Sequence, residues 1–184
     1  HEGEEDIILN THTRLLKKYP TLLLILVPRH PERSESIAKM LEQKNISFKR
    51  KTNLDSMLSP HIQVLLGDTL GELLVMYGAS DVSFVGGSLV PRGGHNILEP
   101  IALNIPVIVG PYIFNFQEIV DKFLQNECIF QAKDENTLES VIEYCLLQKE
   151  KVHIKVEKAK SLFLANKGSL QKQLKIVLNV VDSQ

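Results

Sequence analysis

The sequence contains little cysteine and no long apolar segment. Only two of its 184 residues are cysteines, Cys128 and Cys145, and they lie far apart in apolar surroundings. This usage indicates neither a disulfide scaffold nor a thiolate metal site, and it is typical of a reducing compartment. The longest apolar run, residues 22–27, is too short to cross a bilayer. The acidic opening HEGEED does not have the pattern of a signal peptide.

The sequence also lacks an excess of charge and several common ligand motifs. Its formal net charge of -1 gives no electrostatic basis for non-specific nucleic-acid binding. Neither a G-x-G-x-x-G nor a P-loop motif is present, which disfavours a dinucleotide fold and a P-loop enzyme. There is no DxD carboxylate pair, and the six histidines show no ligand spacing. We therefore expect no metal cofactor.

The sequence alternates between helical periodicity and short apolar runs. Helices are predicted at residues 4–18, 31–44, 69–77, 97–103, 116–125 and 137–147, and from 151 onward with a break at Gly168-Ser169. Strands are predicted at residues 21–28, 47–52, 62–67, 82–87, 106–110 and 128–131. The run 21–28 is typical of a strand covered on both faces, and the polar run 47–52 of an edge strand. The alternation predicts an α/β fold with a Rossmann-like parallel sheet and helices on both faces.

Ligands of such sheets bind at the carboxyl ends of the strands, and polar residues follow three of the predicted strands. Pro28 and Arg29 follow the first, where a guanidinium can hold a phosphate or carboxylate; an ordinary surface arginine is the alternative. Gly71 and Glu72 follow the strand 62–67. Thr69 and Glu72 fit a capping box, which is the alternative to a ligand contact. A glycine in a first helical turn costs about 1 kcal/mol, which indicates a close approach by a ligand or another backbone.

The third end is the stretch SLVPRGGHNILEP, residues 88–100. Asn96 and Glu99 have capping-box spacing, so a loop with a capped helix is one interpretation. In the other, the amides of Ile97 and Leu98 point outward as an anion site. Glu99 then accepts hydrogen bonds from the two hydroxyls of a ribose. His95 fits an anion contact, a structural hydrogen bond or a plain loop position.

The run GDTLGELLVMYGASDVSFVGGSLVPRGGHNILEPIALNIPVIVGPYIFNF, residues 67–116, resembles the C-terminal domain of the 3-deoxy-D-manno-octulosonic acid (Kdo) transferases. The segments HEGEE and LLLILVPRHPER match the same family in the same order, so the resemblance covers residues 2–147. It implies one half of a GT-B glycosyltransferase, the half that binds the nucleotide donor. Residues 1–150 are then the Rossmann-like domain. Residues 151–184 are C-terminal helices that pack on this domain or on an N-terminal domain, with a membrane-surface helix as the alternative.

The resemblance also implies a set of contacts to CMP. Leu70 stands where the family more often has methionine, a swap that conserves volume. Arg29 and the amides of Ile97 and Leu98 would hold the phosphate, Glu99 the ribose, and the turn at Leu70 the base or sugar. The implied donor-binding residues are Pro28, Arg29, Leu70, Gly71, Glu72, Asn96, Ile97, Leu98 and Glu99.

The family transfers Kdo from CMP-Kdo to the lipid A precursor of lipopolysaccharide, at the cytoplasmic face of the bacterial inner membrane. Its catalytic base lies in the N-terminal domain, which also holds the acceptor and contacts the membrane. We therefore assign no catalytic residue here and expect this sequence, which lacks an initial Met, to be an inactive piece of a longer protein. The family has a further strand before HEGEE. If that strand is absent, the sheet lacks a central member and exposes apolar surface and an unpaired ladder; either the sequence is an excerpt or the chain covers that edge in another way. A UDP-sugar enzyme of the GT-B class and a non-catalytic nucleotide-binding module are the alternatives.

Overall fold

The computed structural model describes residues 1–54 and 57–165. Its helices and strands follow the predicted order, and its strands are two to five residues shorter than predicted. The elements are α1 (Glu4–Leu16), β1 (Leu24–Leu26), α2 (Ser34–Gln43), β2 (Phe48–Arg50), β3 (Val64–Leu66), α3 (Leu73–Gly78), β4 (Ser83–Val85), α4 (Leu98–Ala102), β5 (Val107–Val109), α5 (Gln117–Gln125), β6 (Phe130–Gln131), α6 (Glu135–Leu147) and α7 (Lys149–Ala165). The predicted break at Gly168-Ser169 lies outside the described residues.

The chain forms two compact units, His1–Ser80 and Asp81–Gln184. Each unit has a three-stranded sheet in which all pairs are parallel, with the orders β1-β3-β2 and β4-β5-β6. Parallel strands joined through helices confirm the predicted α/β class. The sheet order also confirms that the polar strand β2 lies at an edge. The proposed division of the sequence at residue 150 stays a prediction.

In the first unit, α1 and α2 cover one face of the sheet. Val64 and Leu66 of the central strand β3 are fully buried against Leu9 of α1 and against Ile37 and Leu41 of α2. These strand residues alternate with Leu65, which points to the opposite face and is also buried. The apolar run in β3 is therefore explained by burial on both faces, as the sequence predicts for a parallel strand.

The strand β1 differs from the prediction that it is covered on both faces. Residues 22–28 are only half-buried throughout. Among the described residues, β1 pairs with β3 alone. It is therefore an edge strand, with no strand hydrogen-bonded to its other side. The half-burial of this apolar run therefore follows from its position at an edge of the sheet.

His12 links α1 to the sheet of the first unit from a buried position. Its Nε2 lies 2.9 Å from the backbone oxygen of Gln63, beside β3. Burial lowers the pKa of His12, and this outweighs the opposite effect of the hydrogen bond to Gln63. His12 is therefore a neutral donor in the folded protein.

In the second unit, three helices pack on one face of the sheet. Val107 and Val109 of β5 share a core with residues of α4, α5 and α7, including Phe123 and Ala159. A smaller cluster joins α6 and α7 around Cys145. The described part of the C-terminal segment thus packs on its own unit, as one of the predicted alternatives has it. Both cysteines are free and buried, and burial raises the pKa of Cys145 to about 12.

We expect the stability of this protein to fall as the pH drops below the usual histidine pKa of 6.5, because the folded pKa of His12 is lower. The contribution is complete above 6.5 and is lost as the pH falls through the folded pKa, with a slope of at most about 1.4 kcal/mol per pH unit. Urea unfolding at a series of pH values measures this slope. His12→Gln should flatten this slope below pH 6.5, whereas substitution of the exposed His153, His153→Gln, should leave it unchanged. Equal slopes in His12→Gln and the parent chain would contradict the assignment.

Candidate functional site

Residues 86–96 form a loop that turns back on itself after β4. The Gly94 amide donates to the Gly87 oxygen at 2.8 Å, which closes the loop between its two glycine pairs. Gly93 has a φ of 92°, in the left-handed region that favours glycine. The loop therefore needs its glycines for its path, in addition to any role in ligand approach.

A buried hydroxyl joins this loop to the loop that follows β5. Ser88 is completely buried, and its Oγ donates to the Val85 oxygen at 2.6 Å and accepts from the Gly110 amide at 2.8 Å. The Tyr112 amide donates to the Ser88 oxygen at 2.9 Å. A Cβ at Gly110 would lie 2.0 Å from that oxygen, so no other residue fits there. The carboxyl ends of β4 and β5 therefore carry two loops that are bonded to each other.

A second contact joins the tips of the same two loops. Asn115 donates from Nδ2 to the Arg92 oxygen at 3.1 Å and from its backbone amide to the Gly93 oxygen at 3.0 Å. A Cβ at Gly93 would lie 2.4 Å from Asn115 Nδ2 and 2.6 Å from a ring carbon of Phe114. Asn115 and Phe114 thus pack directly on the backbone of the turn that carries Arg92.

The start of α4 differs in detail from the predicted capping box. The helix begins at Leu98 and not at Ile97. Asn96 Oδ1 accepts from the Leu98 amide at 3.0 Å, and Asn96 Nδ2 donates to Glu99 Oε1 at 3.1 Å. Asn96 therefore does satisfy a first-turn amide, as predicted. The expectation that the Leu98 amide points outward for an anion is wrong, because the Asn96 side chain occupies it.

The remaining predicted residues lie in the first unit, after β1 and β3. Pro28 is half-buried, and Arg29 is exposed directly after it. Leu70 is 79% exposed at the turn that leads into α3. Gly71 lies before the first residue of α3, so the expected loss of helix stability from a glycine in the first turn does not occur. Its φ of 80° lies in the left-handed region that favours glycine, and this explains why a glycine is found there. The predicted proximity to a ligand stays a prediction.

Glu72 does not form the predicted capping box with Thr69. It occupies the N-cap position of α3 without a cap hydrogen bond, and the Thr69 hydroxyl donates to its carboxylate instead. Lys51 Nζ lies 3.5 Å from Glu72 Oε1. The hydrogen bond from Thr69, and more weakly the charge of Lys51, holds the pKa of Glu72 below its ordinary value. Glu72 is therefore an ionised acceptor at neutral pH.

Two side chains that the sequence reasoning missed tie the loop after β3 to the turn after β2. Asp68 accepts from the Thr52 amide at 2.9 Å and from the Thr52 hydroxyl at 2.6 Å. Burial alone would raise the pKa of Asp68, but these hydrogen bonds lower it overall. No local sequence pattern predicts this contact, because Thr52 follows β2 and Asp68 follows β3. It holds the segment that carries Gly71 and Glu72.

The structure thus groups the predicted residues into two sets. One set follows β1 and β3 in the first unit, and the other follows β4 in the second unit. Ser88, Asn115 and Asp68 were not predicted, and they hold the loops that carry these sets. Within residues 1–54 and 57–165, no group of three or more His, Cys, Asp or Glu side chains is arranged to hold a metal ion. None of the helices in this described part has both the length and the apolar character needed to cross a membrane.

Comparison with known proteins gives a consistent set of relatives. The chain is 42% identical over 178 residues to the 3-deoxy-D-manno-octulosonic acid transferase of Haemophilus influenzae, which covers 96% of this chain and 42% of the relative. It is 37% identical over 163 residues to the enzyme of the same name from Aquifex aeolicus, covering 88% of this chain and 44% of the relative. The chain thus spans less than half the length of these curated relatives. No family model matches the sequence.

A solved structure resembles this chain over most of both lengths. It is the crystal structure of the C-terminal CMP-Kdo binding domain of WaaA from Acinetobacter baumannii, with 38% sequence identity and a TM-score of 0.80. The match covers 86% of this chain and 84% of that domain. The likeness therefore extends over most of a C-terminal domain.

We expect Gly93→Ala to lower the free energy of unfolding by about 2–4 kcal/mol, since both the positive φ and the clash with Asn115 oppose a Cβ there. Gly71→Ala is the matched control, because it has a positive φ but no atom within 4 Å of its added Cβ. It should cost only about 1 kcal/mol. Urea unfolding followed by circular dichroism compares the two. Equal losses would show that the contact with Asn115 is not tight.

We expect Ser88→Ala to destabilise the protein by about 1–3 kcal/mol, because it leaves the buried Gly110 amide and Val85 oxygen without their partner. Ser140→Ala removes an exposed serine hydroxyl from α6 in the same unit and should change stability by less than about 0.5 kcal/mol. Hydrogen exchange of the Gly110 amide should accelerate in Ser88→Ala only. Unchanged exchange there would refute the role given to this hydroxyl.

Proposed function

This chain belongs to the 3-deoxy-D-manno-octulosonic acid (Kdo) transferase family, as a relative of its C-terminal domain, and we propose that it is the half of the enzyme that binds the donor CMP-Kdo. The observation that carries this proposal is the likeness to the CMP-Kdo binding domain, at 38% identity and a TM-score of 0.80 over 84% of that domain. Polar residues at the carboxyl ends of parallel strands support it independently, since ligands of such folds bind there.

We assign the donor phosphate to Arg29. This exposed guanidinium follows β1 directly, and the half-buried Pro28 before it restricts the backbone. A guanidinium presents a rigid fork of donors that matches a phosphate. The positive charge also stabilises CMP as it departs, when negative charge develops on the phosphate. The proposal therefore needs no metal ion for leaving-group stabilisation.

The ribose is assigned to the start of α4. Asn96 donates to Glu99 Oε1 and thereby orients the carboxylate, whose other lone pairs can accept from the two ribose hydroxyls. The side chain of Ile97 is buried, so we propose that this residue contacts the donor through its backbone. Because Asn96 already engages the Leu98 amide, we no longer assign the phosphate to that amide.

The base or the sugar is assigned to the turn of Leu70, Gly71 and Glu72. Leu70 offers an exposed apolar side chain, and Glu72 an ionised carboxylate held by Thr69 and Lys51. The positive φ of Gly71 turns the backbone between Leu70 and Glu72. An apolar side chain such as that of Leu70 can pack on the flat face of a nucleotide base, and the carboxylate of Glu72 can accept a hydrogen bond from the polar edge of that base.

In the longer protein, we propose that a base from the remaining half activates the acceptor hydroxyl, which attacks the anomeric carbon of Kdo. The acceptor would be the lipid A precursor of lipopolysaccharide, at the cytoplasmic face of the inner membrane. The remaining half would bind this acceptor and contact the membrane. The length relation supports this division of roles, since the chain covers 42% of its relative from Haemophilus influenzae. By itself the chain would bind the donor without catalysing transfer.

Calorimetric titration of this chain with CMP, and with UMP as the comparison, tests the proposal. We expect CMP to bind more tightly than UMP, and Arg29→Ala to weaken CMP binding by about tenfold or more. Lys39→Ala on the exposed side of α2 is the matched loss of one positive charge and should leave the affinity unchanged. Equal affinity for the two nucleotides would favour a UDP-sugar enzyme. Full CMP affinity in Arg29→Ala would overturn the phosphate assignment.

A further inference from the structure

Three exposed side chains lie on the two bonded loops of the second unit, outside the contacts proposed above. Phe114 is 60% exposed and Tyr112 is 43% exposed, both in the loop after β5. Arg92 is exposed in the loop after β4. We call these three residues the loop-tip cluster. Large aromatic side chains left open to solvent at the carboxyl ends of parallel strands are typical of binding surfaces.

The backbone beneath the loop-tip cluster is rigid. Asn115 bonds both Arg92 and Gly93, and the Phe114 ring packs against the Gly93 backbone. The Tyr112 amide is held by the buried Ser88. The positions from which the three side chains project are therefore set before any ligand arrives. Such preorganisation reduces the entropy that binding has to overcome.

The charge of the loop-tip cluster is uncompensated. Arg33 pairs with Glu5 at 2.6 Å and Arg50 pairs with Glu35 at 2.7 Å, but no carboxylate among residues 1–54 and 57–165 pairs with Arg92. A guanidinium that is free of protein carboxylates can take a bidentate carboxylate from a ligand. The neighbouring aromatic faces suit the apolar face of a sugar ring.

The loop-tip cluster and the proposed ribose contact share one segment. Arg92 lies four residues before Asn96 in the same closed loop. A ribose at Glu99 would therefore lie beside the segment that carries Arg92. The donor carries two anionic groups, and the phosphate is assigned to Arg29, so the carboxylate of the sugar acid needs its own cation.

We propose that the loop-tip cluster is the subsite for the sugar acid of the donor. Arg92 pairs with its carboxylate, and Phe114 and Tyr112 pack on its ring. This inference rests on the proposed function, because it deepens the same donor site. The proposal explains why an arginine and two aromatic side chains are exposed to solvent on loops whose backbones are hydrogen-bonded to each other.

The test compares the affinity of this chain for CMP-Kdo and for CMP, which lacks the sugar acid. We expect CMP-Kdo to bind more tightly than CMP, and Arg92→Gln to weaken CMP-Kdo binding by about tenfold or more while CMP is affected far less. Arg92→Lys keeps the charge without the fork and should be intermediate. Phe114→Leu should weaken CMP-Kdo binding several-fold. Lys158→Gln on α7 in the same unit is the matched charge loss and should change neither affinity.

Three results distinguish a failure of the proposed sugar-acid subsite from a failure of the proposed donor-binding function. If CMP binds but Arg92→Gln retains the full preference for CMP-Kdo, the subsite is wrong and the donor-binding function stands. If the parent chain binds CMP and CMP-Kdo equally, the loop-tip cluster holds no sugar acid. If the folded chain binds neither ligand, the proposed function fails, and the inference fails with it.

Discussion

The buried hydroxyl of Ser88 is the contact on which the loops at the carboxyl edge of the second unit's sheet depend. Parallel strands end side by side, but nothing in a sheet ladder fixes the loops that follow them. Ser88 bonds the end of β4 to the backbone of Gly110 after β5, where no side chain larger than hydrogen fits. Asn115 repeats the connection at the loop tips. Two irregular segments thereby acquire the rigidity of the sheet itself.

The first unit reaches the same result with different chemistry. Its loop after β3 is held by the carboxylate of Asp68, which accepts two hydrogen bonds from Thr52. This contact is more exposed than that of Ser88, and it uses a charge where the other uses a neutral hydroxyl. A charge-assisted hydrogen bond keeps its strength at a partly solvated site, whereas a buried site favours a small neutral group that can be fully satisfied. In both units, residues that touch no ligand position those proposed to do so.

Several predictions are confirmed because they concern features that neighbouring residues in the sequence determine. The alternation of periodicities places every described helix and strand, and the polar composition of residues 47–52 identifies β2 as an edge strand. Asn96 contacts the Leu98 amide because the two residues lie only two positions apart in sequence. Family membership follows from motifs such as GGHNILEP, which are also local. Such features are set by a few neighbouring residues, so one sequence is sufficient to find them.

Other features depend on residues that are distant in sequence. Thr69 and Glu72 fit a capping box, but Gly71 takes a positive φ and the helix begins one residue after Glu72. The run at β1 is apolar enough for a doubly covered strand, yet its burial depends on which strands pair beside it. By itself, the sequence determined the order of elements and the family, and it predicted residues for a nucleotide site. Only the tertiary structure decided that Ser88 bonds the Gly110 amide and that Asn115 bonds the backbone of Arg92, because those contacts join loops that follow different strands.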